Sequence, residues 1–438
     1  MRAALLGVAI ALALADSSIV TLALPEILAE FDVGITTVAW TLTSFNLAFA
    51  LLALPAAFLA RRRPGPAYAA GLVVFAAASL GCGLAPSFEI LVGARCVQAA
   101  GAALLVTAAL DLLSQETGSD ARAAHIWVTA GVAGAALGPA VGGILTELFG
   151  WQSIFFVQVP VALAALSALR GTRPHRVPTP AERPHAAANA ALFLLSGGLV
   201  AALFLLVLLL VNGWGMSPAL AGLVVTVMPV TAVAAARLAS RAGPPVMRMS
   251  AGVVLVAGGL AALALLPRSG WGWTVPPQLL IGAGIGLALV ALTERAVSGK
   301  AEQVVHGGWT LAARHAGVVV GLVVLAPLLT SALDRNEQDA LRAGAAVVLD
   351  SRIPPLDKLG VAQDVLAEVH DAGSARLPDL GAAFEERPDT DEYRSLLAAL
   401  EEQLDRAVTN AFSGPFLVAA MLALLALVPV WLGRGEAL

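Results

Sequence analysis

The chain has 438 residues, of which 58% are hydrophobic, 13% charged and 5% aromatic, and its mean hydropathy is +0.84. A soluble globular protein carries about a quarter charged residues, so this composition excludes a water-soluble fold. The formal net charge of −4 hides a division: residues 331–412 hold 17 acidic and 8 basic side chains, and the remainder holds 13 acidic and 18 basic. The sequence is a basic-edged apolar body with one acidic, polar insertion.

A bilayer core of about 30 Å is crossed by about 20 apolar residues as helix. Twelve such runs occur in chain order. The first six are 3–25, 36–60, 67–85, 88–112, 126–147 and 153–170. The second six are 189–211, 217–239, 248–266, 274–294, 304–330 and 413–433. With the N-terminus inside, 15 Lys and Arg lie at inner ends and loops, among them Arg2, Arg61, Arg62, Arg63, Arg237, Arg241, Arg295 and Arg434. The short outer loops hold Arg268 alone. The positive-inside rule therefore predicts cytoplasmic N- and C-termini in a cell-membrane protein. Trp151, Trp214, Trp271 and Trp273 fall at outer ends, where an aromatic belt is expected.

Residues 171–188 are rich in Pro and Arg and read as a cytoplasmic linker between a bundle at 1–170 and a second at 189–330 with 413–438. The loops AFLARRRPGP (57–66) and ARLASRAGPP (236–245) follow the second helix of each half. Two similar halves in one orientation imply a pseudo-twofold axis along the membrane normal.

Some residues do not belong in lipid. Asp16 lies roughly 20 Å along the first helix. A charge there costs about 2.5–3.5 kcal/mol on insertion scales, so it must face the bundle interior. A carboxylate poised between desolvation and a neighbouring cation can load and release a proton; the alternative is a polar group simply satisfied inside the bundle. Arg95 and Gln98, three apart, share one face of the fourth helix. Asp16 is their nearest acceptor by depth, for coupling or as a structural clamp. Arg314 and His315 lie roughly 15 Å into the eleventh helix, and His changes charge near neutral pH. Asn46 and Gln158 either line a cavity or bond a neighbouring helix. Glu294 and Asp111, at cytoplasmic ends, read as solvated or loop-clamping. In the fifth helix Gly134, Gly138 and Gly142 recur every fourth residue, followed by Gly143, with Pro139 to bend it. Such a smooth face allows close helix contact. Gly282, Gly284 and Gly286, then Gly317 and Gly321, repeat the device.

These residues resemble the major facilitator superfamily, within it the drug:proton antiporter branch usually predicted with fourteen spans. DSSIVTLALP (16–25) resembles that branch's D-x-T-I-V-N-V-A-L-P. Trp40 with Phe45 resembles W-x-x-x-x-Y. Arg95, Gln98, Gly101 and Ala103 match R-x-x-Q-G-x-G-x-A, with Ala99 for the first Gly. Gly134, Gly138, Pro139, Gly142 and Gly143 match the antiporter motif of helix five. SPALAG (217–222) resembles S-P-x-x-A-G. The resemblance implies an all-α membrane fold of two six-helix bundles around a cavity that opens alternately to each side. It implies proton coupling at Asp16 and Arg95, and a helix-five motif at the interface between bundles. Two departures stand out. Arg61 and Pro64 replace the Asp and Gly of the loop motif G-x-L-A-D-R-x-G-R, and its second copy keeps Arg237, Arg241 and Gly243 but has Ser240 for the Asp. The chain also has twelve spans rather than fourteen, lacking two central spans of the branch.

The insertion 331–412 is expected outside, as a helical cap. Residues 332–349 continue span eleven, Ile353-Pro354-Pro355 breaks it, 356–371 form a short helix, and 390–412 form an amphipathic one joined at Gly414-Pro415. Asp389 with Glu392 resembles a capping box.

The leading expectation is proton-coupled export of small amphipathic compounds by a monomer, with Phe45, Asn46 and Gln158 in the cavity. The alternatives are a lipid or glycolipid exporter, or a sensor or scaffold that binds an external partner through 331–412. Two cysteines, Cys82 and Cys96, exclude a disulfide framework. No GxxxxGK[ST], HxH or HExxH occurs, so the sequence gives no support for a nucleotide, metal or other cofactor, for enzymatic chemistry, or for nucleic acid.

Overall fold

The computed structural model describes residues 1–169, 182–239, 243–267, 270–297, 301–372, 380–385, 387–388 and 390–435. Inside a bilayer every backbone donor and acceptor must be satisfied within the chain, which makes apolar runs helical. The helices of the first half are α1 (Arg2–Glu30), α2 (Ile35–Ala60), α3 (Pro64–Gly83), α4 (Phe88–Thr117), α5 (Asp120–Phe149) and the shorter α6 (Ser153–Leu169). Those of the second are α7 (Ala186–Gly213), α8 (Pro218–Leu238), α9 (Pro245–Ala264), α10 (Trp271–Val297) and α11 (Gln303–Asp350). The chain continues through α12 (Pro355–Ala372) to α13 (Asp391–Leu432). Local chemistry sets the ends. Ser87, Ser119 and Ser217 accept backbone N–H groups at helix starts, and Pro64, Pro218 and Pro245 occupy first turns. Gly118, at φ +63°, takes the left-handed turn that ends α4.

The packing repeats between the halves. In the first half α1 pairs with α5, α2 with α4, α3 with α4, and α3 with α6; in the second α7 pairs with α11, α8 with α10, α9 with α10, and α9 with α13. Each second pairing is the first moved on by six spans. Across the middle, α2 meets α11 and α5 meets α8, again a symmetric pair. Glycines permit the closest crossings. On α5, a Cβ at Gly142 would lie 2.5 Å from the Ile19 carbonyl oxygen of α1, and Gly134 and Gly138 sit against Ala11 and Ser18. The counterpart crossing puts Gly317 on the backbone of Phe193 and Gly321 on Gly197.

The helix-five motif therefore straddles two contacts. Gly134, Gly138 and Gly142 face α1 within the first half. Only Gly143, against Pro218, and Pro139, whose carbonyl would lie 2.5 Å from a Cβ at Gly222, reach α8 across the interface. The four-residue spacing that points three glycines at α1 points the next residue elsewhere.

Both chain ends lie at one end of the bundle. Arg2 Nε donates to Ala168 O at 2.8 Å, and Arg295 Nη2 to Gly433 O at 2.5 Å. The opposite end carries the insertion, here called the cap. α11 runs unbroken for 48 residues into it, turns at Ser351–Pro354, and returns through α12. α13 passes through Gly414-Pro415 as one helix rather than joining two there. Val348, Ile353, Val361, Leu380, Tyr393, Leu396 and Leu400 form the cap's own core. Tyr393 Oη donates to Asp357 at 2.6 Å, and Arg387 pairs with Asp364. Thr390 is the N-cap of α13, while Asp389 lies outside the described residues.

Two tryptophans differ from the aromatic-belt expectation. Trp151 is 2% exposed, and its indole donates to Glu30 at 2.6 Å while its backbone N–H donates to Glu26 at 3.0 Å. Trp214 is half-buried and donates to Thr409 at 3.2 Å. Each has an acceptor within its own bundle, which outcompetes the headgroup region. Trp271 and Trp273 are exposed as a belt requires.

Candidate functional site

The first half closes around a buried polar cluster. Asp16, on α1, is fully buried, as are Arg95 and Gln98 on α4 and Gln158 on α6. Arg95 Nη1 donates to Asp16 Oδ2 at 2.5 Å and to Gln98 Oε1 at 2.6 Å, and its Nε donates to the Thr41 carbonyl at 3.0 Å. Asp16 Oδ1 accepts from Gln158 Nε2 at 3.0 Å and Gln98 Nε2 at 3.3 Å. Phe45 covers the guanidinium face at 4.3 Å. The remaining guanidinium nitrogen, Arg95 Nη2, is buried with no hydrogen-bond partner among the described residues. Gln98 Nε2, with two protons, also reaches Ser79 Oγ and Gln158 Oε1, each at 2.8 Å. Three acceptors share two protons, so the amides have more than one way to satisfy the carboxyl group.

A second polar string leaves this cluster and crosses to the other half. Asn46 Nδ2 donates to the Leu42 carbonyl at 2.8 Å and to Ser17 Oγ at 3.3 Å. A carbonyl only accepts, so the amide nitrogen faces Leu42 and the amide oxygen faces His315 at 2.7 Å. His315 Nδ1 therefore carries a proton. The ring stacks on Phe49 with centroids 4.0 Å apart. Arg314, next in the chain, is half-buried and makes no hydrogen bond or ion pair among the described residues.

The halves also touch at both ends. Near the chain termini, His125 Nδ1 lies 3.3 Å from Glu294 Oε1, and Gln303 donates to the Asp120 carbonyl at 3.0 Å. At the cap end, Thr36 and Thr330 hydroxyls are 3.1 Å apart, and Glu147 accepts the Ala219 N–H at 2.8 Å. Glu294 is thus a partly exposed end charge that also touches the opposite half. Asp111 accepts from Gln115 at 2.7 Å.

The loop-motif residues stand apart from the cluster. Arg61 lies over the Phe58 ring at 4.8 Å, Arg62, Arg63 and Arg237 are exposed, and Gly243 takes φ +90°. Arg241, with most of the linker, lies outside the described residues. Sequence reasoning missed Ser17, Ser79 and Thr41. A lone Ser or Thr in an apolar run usually bonds its own helix, as Ser79 does with Phe75 O at 2.7 Å, and carries no signal of a second role.

Beneath the cap lies a cavity of about 310 Å³. Leu208, Leu341, Val365, Leu404 and Phe412 make its apolar wall, and Gly34–Thr36 of the first half close one side.

Comparisons with known proteins agree with this architecture. A bacterial homolog of the human lysosomal transporter Spinster, in an inward-facing, unoccupied conformation, superposes with a TM-score of 0.66 at 16% identity, covering 99% of this chain and 98% of that one. A D-xylose-proton symporter gives 0.59 at 13% identity, covering 74% and 89%. Multidrug resistance protein Stp of Mycobacterium tuberculosis is 39% identical over 158 residues, 34% of this chain and 29% of its own length. Methylenomycin A resistance protein of Streptomyces coelicolor is 36% identical over 156 residues, 35% of this chain and 33% of its own. The match thus spans about a third of each of these curated relatives. The description Major Facilitator Superfamily fits residues 6–333 as a family match, and on that match and this helical architecture the chain belongs to the major facilitator superfamily.

Proposed function

We propose that this protein is a proton-coupled exporter of small amphipathic compounds that works by alternating access in the cell membrane, with both termini and the basic loops in the cytoplasm and the cap outside. The observation that carries the reading is the Asp16–Arg95 pair, a mid-helix carboxylate fully buried against a guanidinium whose last nitrogen lacks an acceptor. Protonation of Asp16 cancels its charge attraction for Arg95. The Gln98 and Gln158 amides can then turn an oxygen toward the new O–H. This loosens α1 from α4 while α1 stays seated on the glycine face of α5. Ser17, adjacent to Asp16, connects through Asn46 to His315, so the same event reaches α11 of the other half. The proton supplies about 1.4 kcal/mol per pH unit and about 2.3 kcal/mol per 100 mV. The names of the multidrug and methylenomycin resistance relatives support export.

The test is flux of ethidium in proteoliposomes under an imposed pH gradient. Wild type moves the dye only with the gradient. Asp16→Asn loses driven flux and keeps its fold, judged by monodisperse elution. Full driven flux in that variant removes Asp16 from the mechanism, and no gradient-dependent flux in wild type favours a scaffold.

The cavity beneath the cap favours a second reading, export of a lipid whose tail passes through that apolar space. Deleting 336–409 with a short linker distinguishes the two. Lipid export then falls while dye export remains.

A further inference from the structure

The interior carries one more positive charge than it neutralises. Among the described residues of α7, α8, α9, the membrane part of α11 and the membrane part of α13 there is no Asp or Glu, and α10 has only Glu294, 3.3 Å from His125 near the chain termini. In the helices of the first half that meet α11, α2 has no acidic residue; on α4, Glu89 is exposed in the first turn at the cap end, Asp111 bonds Gln115 and Glu116 pairs with Arg2. Asp16 is saturated by Arg95, Gln98 and Gln158. No carboxylate is left for Arg314.

Arg314 nonetheless looks inward. The lipid-facing row of α11 is Trp309, Val320, Val323 and Val324, all exposed. At about 100° per residue, Arg314 lies on a different face, between the Gly317–Gly321 seam against α7 and His315 against α2. It is half-buried there, so part of the residue remains accessible. On α7, Asn189 Oδ1 and Ser196 Oγ are buried with no partner among the described residues. The close approach of Gly197 to Gly317 and Gly321 sets the register of these parallel helices. At about 1.5 Å per residue, that register places Asn189 within about one turn of Arg314. Burying a guanidinium is costly unless it is paired, and here the missing partner is an anion that comes from outside the chain.

We infer that Arg314 is the head-group site for substrates bearing an acidic group, a carboxylate, sulfonate or phosphate on an apolar body. Asn189 supplies a polar neighbour, and the Phe49–His315 stack forms the adjoining wall. This inference rests on reading the space between the halves as the substrate path, but it requires neither proton coupling nor a direction of transport.

The experiment is equilibrium binding, without any gradient, of dansylglycine and its uncharged amide to the full chain in nanodiscs of zwitterionic lipid. The two probes share a body and differ in the carboxylate. Wild type binds the acid at least about tenfold more tightly, equivalent to about 1.4 kcal/mol. Arg314→Gln brings the two affinities together by weakening the acid alone, and its retained amide binding shows that it is folded. Arg314→Lys keeps a preference for the acid. The measurement uses no gradient and no flux, which separates this claim from the coupling mechanism. Repeating the titration in discs containing phosphatidylglycerol identifies the source: displacement of the probe makes the occupant a lipid head group, and unchanged binding makes it a free acid. Equal affinities in wild type, no binding of either probe, or an acid preference that survives in Arg314→Gln overturns the inference. Should Arg314→Gln not fold, the wild-type comparison alone decides it.

Discussion

The Asp16–Arg95 pair makes a quantitative demand on stability. Both side chains are fully buried, with 2.5 Å between Nη1 and Oδ2. Two unit charges about 4 Å apart attract by about 4 kcal/mol at an effective dielectric constant near 20. Removing one partner of a buried pair costs about 3–5 kcal/mol, because the other charge remains. The surroundings grade the two halves of that cost. In Arg95→Gln, Asp16 keeps the amide donors of Gln98 and Gln158, so the loss lies near the lower figure. In Asp16→Asn, Arg95 keeps only the Gln98 and Thr41 oxygens and the Phe45 face, so the loss lies near the upper one. The double variant buries no unpaired charge and costs less than the sum of the singles by about 2 kcal/mol or more. Steric-trap unfolding in bicelles measures all four corners of the cycle. Additive singles, or singles that each cost less than about 1 kcal/mol, would refute the account of the pair as mutually dependent charges in a dry site.

Other outcomes follow from particular contacts. Gly138→Val drives a side chain into Ser18 and the α1 backbone and lowers stability by about 1–3 kcal/mol or more, while Gly93→Ala, where a Cβ meets nothing within 4 Å, leaves thermal unfolding unchanged. A Thr36→Cys, Thr330→Cys pair, at hydroxyls 3.1 Å apart, oxidises to a disulfide that joins the halves at the cap end; driven flux stops and reductant restores it, and undiminished flux in the cross-linked protein argues against separation of the halves there. The bond to Asp357 raises the pKa of the Tyr393 hydroxyl. Its support of the cap is therefore whole below about pH 10 and disappears as pH climbs through the shifted value. Tyr393→Phe shows no such step in limited proteolysis of the cap; a variant with the wild-type alkaline step assigns it to another group.

The spans, and the second helix of the cap, were legible because hydropathy and proline punctuation act locally. Asp16, Arg95 and Gln98 were legible because charge in hydrocarbon is costly and demands a partner. The direct contact of Gln158 with Asp16 was not, since a polar residue in an apolar helix is compatible with a cavity or a neighbour, and only the fold chooses. Nor was the division of the helix-five motif between α1 and α8, because spacing defines a face but not what covers it. Trp151 shows the same limit. Its place at a helix end suits a membrane interface, but Glu26 and Glu30, four apart on α1, supply an acceptor within the protein.

The continuity of α11 has a mechanical corollary. At about 1.5 Å per residue the helix is about 72 Å long, and its far third is built into the cap. A tilt of about 10° near its bilayer midpoint swings that far end by about 9 Å, by the same rise. The hollow beneath it takes one wall from Gly34–Thr36 of the opposite half, so under the proposed alternating access its size would change with the stroke. If the proposed cycle operates, a fluorophore on the cap would register it independently of the substrate.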